Sequence, residues 1–512
     1  MATTPAAASE TWMSNRRQIM AGAILALSNF MVILDLTIAN VSVPHIAGNL
    51  GITFDQGTWI ITSYAVAEAI CVPLTGWLAI RYGTVRVFLV AMIGFGLFSA
   101  LCGLSVSLDM LVLCRIGQGL SGAPLMPASQ ALMLRVFPPE RRTAAITAWS
   151  MTVMVGPALG PIIGGYISDH YSWHWIFLIN VPIAAVCALL GIALLRPVET
   201  ATLRVPIDRI GLALLVFWIG SLQIMLDLGR DRDWFNDPMI LGLGLCALLG
   251  FAVFVIWEMT EAHPVVDLRI FRHRGFTTSV IVLSLVFAAY FASIVIIPQW
   301  LQSGMGYTAT QAGLTGAATA MAAVMCAPFA PRLVARFDAR LLIGIAVLNV
   351  AAMSMIRSGW TTDIDFFGVT WPQLVQGLGM PLIMLPLTQL ALTSVEPDEV
   401  ASAAGMQNFM RTIALAVATS AVLTVWGDQT RVATNAIAEV LQPDATRTTL
   451  GNLGFGLEQS RGLIDNIVQL QAATVAMDYT FVVAACVLLI AAAVVWFIPR
   501  PDRPLTPMQG GH

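Results

Sequence analysis

Residues 19–44 read IMAGAILALSNFMVILDLTIANVSVP, one apolar run carrying a single carboxylate, Asp35. A helix that crosses a hydrocarbon slab of about 30 Å needs about 20 apolar residues, and this run supplies them. At ~1.5 Å per residue, Asp35 lies on the order of 24 Å from the start of the run. With the N-terminus in the cytoplasm, it falls in the outer half of the membrane. A charge at that depth is costly unless it faces a protein interior or a water-filled cavity, where it pairs or takes up a proton. The run is therefore read as one helix of a bundle with Asp35 turned inward. Two roles stay open for that carboxylate: loading and unloading protons, or simply pairing within the bundle.

Composition extends this reading to the whole chain. Of 512 residues, 57% are hydrophobic and only 11% charged, against about 25% charged in a soluble domain. The first run is too long for a signal-peptide core and lacks a small-residue cleavage site, so it is expected to be retained. All 26 basic residues are arginine. A phosphate loop of the Walker type and a Schiff-base enzyme both need lysine, so both are excluded. The seven cysteines all fall in apolar runs and the six histidines are scattered. Neither set has metal-ligand spacing, so no metal, cofactor or disulfide is expected. No nucleophile stands with a base on adjacent runs, so the chain is not read as an enzyme. Its surroundings are membrane lipid, with no nucleic acid.

Runs long enough to span recur about fourteen times between 19–44 and 475–497. The expected organisation is a cytoplasmic segment 1–18, a six-helix bundle 19–195, and inner loops with a two-helix insertion over 196–276. A second six-helix bundle covers 277–497 and a cytoplasmic tail 498–512. Within the second bundle, 427–472 is expected to be a long outer loop, with helix-compatible stretches on either side of Gln442 and Pro443. Arginines concentrate on one side of the runs, which puts both termini in the cytoplasm. The acidic inner loop 394–399 departs from that pattern. Arg357, at the end of its run, is assigned to the outer side, and Trp173, Trp175, Trp234 and Trp360 to an interfacial belt. Two arginines, Arg115 and Arg411, and one further acid, Glu68, remain inside runs. If the first, second and fourth helices pack together, Asp35, Glu68 and Arg115 can meet in one outer-half cavity. A guanidinium cannot realistically lose its proton, so Arg115 must pair or point into water. Beside Asp35 it favours the ionised acid, and drawn away it favours the protonated one. A static ion pair is the alternative. Arg411, with Gln407 and Asn408 one turn earlier, either contacts substrate or seals the second bundle.

Four motifs in order carry a family resemblance. The first run contains LDLTIANV (34–41), residues 76–86 read GWLAIRYGTVR, the fourth run contains RIGQG (115–119), and the fifth GPALGPIIGG (156–165). Together they resemble the major facilitator superfamily, and within it the fourteen-helix drug/proton antiporters of the EmrB type. The glycines at 76 and 83 allow a helix end to close on its neighbour, while Arg81 and Arg86 sit where cytoplasmic anchors belong. The family places an acid before the first arginine; here that residue is Ile80, which leaves the charge relay attributed to the loop without its acid. Gly156, Gly160 and Gly164 form a small-residue stripe for close packing, with Pro157 and Pro161 kinking the span. That the stripe seals the outer route against leak is implied by the resemblance alone.

The resemblance implies an all-α membrane protein of two pseudo-symmetric six-helix bundles with a central insertion, lying in the bacterial inner membrane. It further implies export of lipophilic or weakly acidic toxic compounds in exchange for protons, with a periplasmic adaptor protein and an outer-membrane channel as partners. The competing reading is a proton-linked carrier of one physiological metabolite, because a fold does not determine a substrate. A passive channel would need a continuous polar path, and the buried charges are too few and too unevenly placed for one.

Overall fold

The computed structural model describes residues 13–203, 206–230, 232–262, 264–396, 399–440 and 456–499, and every regular element among them is helical. The first half comprises α1 (Asn15–Leu50), α2 (Phe54–Cys71), α3 (Thr75–Tyr82), α4 (Thr84–Gly103), α5 (Leu108–Gly122), α6 (Leu125–Val136), α7 (Pro139–His170), α8 (His174–Leu178) and α9 (Asn180–Leu194). An inserted hairpin follows, α10 (Arg209–Leu228) and α11 (Pro238–Thr260). The second half comprises α12 (Arg274–Ser303), α13 (Ala309–Cys326), α14 (Ala330–Arg336), α15 (Ala339–Arg357), α16 (Phe366–Thr393), α17 (Val400–Val440) and α18 (Leu457–Val495).

Eleven of the helical stretches among the described residues are long and apolar enough to cross a membrane, or thirteen if each of two bent pairs is one span. The fourteenth expected crossing is α5 followed by α6, two pieces each too short alone. Proline accounts for the breaks. Pro73 lies in the 3-10 turn between α2 and α3, Pro124 between α5 and α6, and Pro328 between α13 and α14. Each removes a backbone donor from the helix ladder.

The halves repeat each other locally as well as globally. Before α2, Thr53 accepts a hydrogen bond from the Gln56 backbone while the Gln56 side chain accepts one from the Thr53 backbone. Thr308 and Gln311 make the same reciprocal cap before α13, so two orphan donors are satisfied at matching places in each half. Each half also has its own apolar core, one around Phe88, Phe95 and Trp149, the other around Phe287, Val347 and Leu488. A third cluster, including Leu215, Trp218 and Phe254, packs the inserted hairpin against α2 and α17.

Several expectations change. Most of the supposed outer loop 427–472 is helix, because α17 continues to Val440 and α18 begins at Leu457. Gln442 and Pro443 lie outside the described residues. At ~1.5 Å per residue, the 41 residues of α17 reach about 60 Å, twice the hydrocarbon thickness. Trp173 and Trp360 are buried in the protein, whereas Trp175 is exposed. The acidic inner loop is matched from the adjacent hairpin. Arg272 Nη2 lies 3.3 Å from Glu396 and 2.8 Å from Glu399, and His273 Nε2 lies 2.8 Å from Glu399. Arg357 does end its helix, α15, but instead of reaching the outer surface it is fully buried.

Candidate functional site

Asp35 sits at the centre of a closed polar cage built by four helices. Its Oδ2 accepts from Arg115 Nη1 at 2.6 Å. Its Oδ1 accepts from Gln118 Nε2 at 3.0 Å and from Asn180 Nδ2 at 2.7 Å. Both amides also donate to Ser99 Oγ, which donates in turn to the Phe177 carbonyl. Arg115 is held from the other side. Its Nη1 donates to Gln118 Oε1, its Nε donates to the Ile60 carbonyl at 3.0 Å, and its guanidinium lies 4.3 Å from the Tyr64 ring centre. Asp35 is 1% exposed and Arg115 0%. A buried ion pair is tolerable only when its remaining lone pairs and protons are also used, and here Arg115 Nη2 alone is left over.

The local sequence explains the convergence. Arg115 and Gln118, three residues apart on α5, share one helix face. Asn180 opens α9, and Ser99 lies on the buried face of α4. Asn180 and Ser99 were missed from sequence because single neutral polar residues in apolar runs carry no pattern. Gln118 was in view within RIGQG but without a role.

Glu68 is brought near this cage without joining it. Among the described residues no hydrogen bond or ion pair reaches its carboxylate. Its electrostatic surroundings are led by Arg411, followed by Arg115, with Asp35 opposing. The expected three-way meeting is thus a direct pair, Asp35 with Arg115, and a third group acting at longer range. The reason is axial: α2 presents its backbone at Ile60 and its ring at Tyr64 to Arg115, and Glu68, on the same face, lies a further turn along.

Arg411, Asn408 and Gln407 line a small cavity on the seam between the halves. Gln130 and Trp149 face it from the first half, Phe287 and Met384 from the second. Asn408 Nδ2 donates across the seam to Gln130 Oε1 at 3.2 Å. Arg411 contacts Met126 Sδ and stands 5.4 Å from the Phe287 ring centre. Gln407 donates to Thr388 Oγ1, and its Oε1 has no partner. One cation, amide groups and aromatic faces can hold an apolar molecule that bears a polar or anionic group.

The glycine stripe on α7 is a seam against α1. A Cβ at Gly156 would lie 2.6 Å from Ile33, one at Gly160 2.0 Å from Thr37 Oγ1, and one at Gly164 3.2 Å from the Ile38 carbonyl. Those α1 residues flank Asp35, so the stripe sets where the carboxylate stands. Pro157 is buried on α7; the Pro161 side chain lies outside the described residues.

In the cytoplasmic motif, Gly83 takes φ +94°, a conformation only glycine holds without strain. A Cβ there would also strike the Glu199 carboxylate at 2.6 Å. Glu199 accepts from the Val85 and Arg86 backbone N–H groups, and the Thr84 N–H donates to Thr200 Oγ1. An acid from the loop after α9 thus satisfies the first turn of α4, where backbone donors are otherwise unpaired. Arg86 itself is exposed, 4.0 Å from Glu199, and Arg81 stacks beside Trp77 and Tyr82. Gly76 meets nothing that a side chain would disturb, so close approach does not explain it.

A helical membrane bundle in two halves, with an ion pair sealed inside one and a singly charged polar cavity on their seam, has the architecture of a secondary transporter. The comparisons narrow the class. Residues 25–419 match the model of the Major Facilitator Superfamily. The chain is 41% identical over 483 residues to the multidrug export protein EmrB of Escherichia coli (strain K12), covering 93% of this chain and 94% of that one. It is 39% identical over 493 residues to the fatty acid resistance protein FarB of Neisseria gonorrhoeae, covering 95% and 97%. A solved peptide transporter POT in complex with sulfate has the same fold, with a TM-score of 0.61 at 14% identity over 94% of this chain and 96% of that one. The chain belongs to the major facilitator superfamily, in the branch of the EmrB multidrug exporters.

Proposed function

We propose that this protein exports lipophilic toxic compounds, weak acids among them, across the bacterial inner membrane in exchange for protons. The observation that carries the reading is the split between two buried acids. Asp35 is saturated by Arg115, Gln118 and Asn180, whereas the Glu68 carboxylate has no hydrogen-bond partner among the described residues and lies in the field of Arg411. Glu68 is then the acid free to take a proton, and Asp35 the fixed counter-charge that gains one when Arg115 is drawn away. Protonation removes charge from the region between the halves and lets them tilt. Substrate entering the cavity beside Arg411 displaces the proton. One proton crossing 100 mV supplies about 2.3 kcal/mol, and the pH gradient adds to this.

The names of the relatives support the substrate class, since they describe multidrug export and fatty acid resistance. The arginine distribution supports a cytoplasmic location for both termini. A periplasmic adaptor and an outer-membrane channel complete the proposed assembly, with the ends of α17 and α18 beyond the bilayer as the docking surface. The test is drug-dependent proton release from proteoliposomes. Glu68→Gln and Asp35→Asn should each abolish it while the protein still folds; unaltered coupling in either removes that acid from the cycle.

A further inference from the structure

The second half holds a buried arginine that the transport cycle above does not use. Arg357 is 0% exposed, and among the described residues no aspartate or glutamate pairs with it. Its Nη1 donates to Ser293 Oγ at 3.2 Å, and its guanidinium lies 5.7 Å from the Phe481 ring centre. Nε and Nη2 have no partner. A guanidinium keeps its charge, so a buried one without an acid calls for an anion from elsewhere.

Beside it is a small cavity to which Ser293 and Tyr290 contribute walls, joined by Gln373 and Gln376 of α16. Ser293 Oγ accepts from Arg357, which leaves its own hydrogen to be donated. The Gln373 amide is 6% exposed and its Nε2 has no partner; Gln376 is 1% exposed and its Oε1 has none. Two unused donors therefore stand at one cavity, the Ser293 hydroxyl on α12 and Gln373 Nε2 on α16, with an unmatched positive charge behind Ser293, while Gln376 Oε1 is an unused acceptor. Ile294, Ile297 and Pro298 of α12 and Pro157 from α7 of the other half give it apolar walls, and α13 adds Thr315 and Thr319.

We propose that this cavity is a second ligand subsite, selective for the carboxylate of an amphipathic organic acid. Ser293 and Gln373 donate to the carboxylate oxygens, Arg357 neutralises their charge, and the alkyl or aryl body lies against Ile294, Ile297 and Pro298. The site is separate from the cavity at Arg411. Because Pro157 closes one wall, tilting of the first half against the second would open or shut it. The proposal rests on the export reading for the ligand's route, but not for its binding.

The test measures binding alone, on the detergent-purified full chain, with decanoate and its uncharged methyl ester as probes and equilibrium dialysis as readout. Wild-type protein should prefer the acid by tenfold or more. Arg357→Gln should lower that preference at least fivefold while leaving ester binding within twofold, and Gly344→Ala, where a methyl group meets nothing within 4 Å, should retain it. Should Arg357→Gln fail to fold, Gln373→Leu and Ser293→Ala serve on the same readout, each lowering the preference severalfold. A preference that survives in these variants, or that falls as far in Gly344→Ala, overturns the site. Saturable acid binding without any efflux from vesicles would instead count against the export reading and leave the site standing.

Discussion

Among the described residues each half buries one arginine completely, and the two are treated in opposite ways. Arg115 faces Asp35, which stands 20 residues beyond the start of α1. Arg357 faces Ser293, which stands 19 residues beyond the start of α12. Near-equivalent places on the first helix of each half thus hold an acid in one and a hydroxyl in the other. Where the acid is present, the charge is internally matched and ringed by amides. Where it is absent, guanidinium nitrogens and neighbouring amide groups are left unused beside a cavity. The same bundle plan serves to hold an ion pair in one half and to leave a vacancy of negative charge in the other.

The largest expected effect comes from splitting the matched pair. Arg115→Met leaves Asp35 buried without its cation, which should cost about 3–5 kcal/mol of stability. Asp35→Asn together with Arg115→Met should recover at least half of that, because Asn still accepts from Gln118 and Asn180 while no charge remains. Chemical denaturation in detergent measures both. A double variant no more stable than the single one would mean that the pair is not the unit that matters.

The other half should respond in the reverse direction. Arg357→Met gives up one hydrogen bond and one ring contact, about 1–2 kcal/mol together, and removes a desolvated charge whose cost is several kcal/mol. Stability should be unchanged or rise by about 1–3 kcal/mol. Ser293→Asp sharpens the contrast: it supplies the missing acid, should stabilise the protein, and should lower the preference for decanoate over its ester. A loss in Arg357→Met as large as that in Arg115→Met would end the comparison.

How much of this was legible depended on whether a residue's role is local. The spans followed from apolar length, and Asp35, Glu68, Arg115 and Arg411 stood out because charge inside lipid is conspicuous in any single run. Arg357 was missed because it closes its run, where an arginine ordinarily reaches water; only the packing of α12 and α18 over the end of α15 buries it. Glu199 was missed for a similar reason. The acid absent at Ile80 is replaced from more than a hundred residues away, and no spacing rule reports such a partner. The helix-compatible stretches on either side of Gln442 and Pro443 were legible, but not that they continue α17 and α18, because a helix beyond the bilayer loses the apolar signal that marks a span while keeping its hydrogen bonds.

A smaller effect separates packing from sealing along the glycine stripe. Gly160→Ala places a methyl group where Thr37 of α1 already stands and should cost about 1–3 kcal/mol. Gly344→Ala on α15 meets nothing within 4 Å and should gain about 0.5–1 kcal/mol from helix propensity. If the stripe is a seam only, Gly160→Ala lowers the melting temperature without opening a proton leak in vesicles. A leak at unchanged stability would instead assign it the sealing role.

The smallest effect belongs to a place where the second half does match arginine with acids, the inner loop at Arg272. There, desolvation works against the Glu399 charge, but the Glu396 backbone N–H, His273 and Arg272 outweigh it and hold the carboxyl below its ordinary value of 4.5. A carboxylate depressed in the folded state contributes stability above its unfolded value and loses it as pH falls through the folded one. Acidification below about pH 4.5 should therefore remove this contribution, and Glu399→Gln should flatten that part of the melting-temperature profile while leaving the neutral-pH side nearly level. Because the cluster faces solvent, salt should shrink the difference between variant and wild type, whereas the sealed pair at Asp35 should be indifferent to salt. A salt response at Asp35 equal to that at Glu399 would show that water reaches the cage.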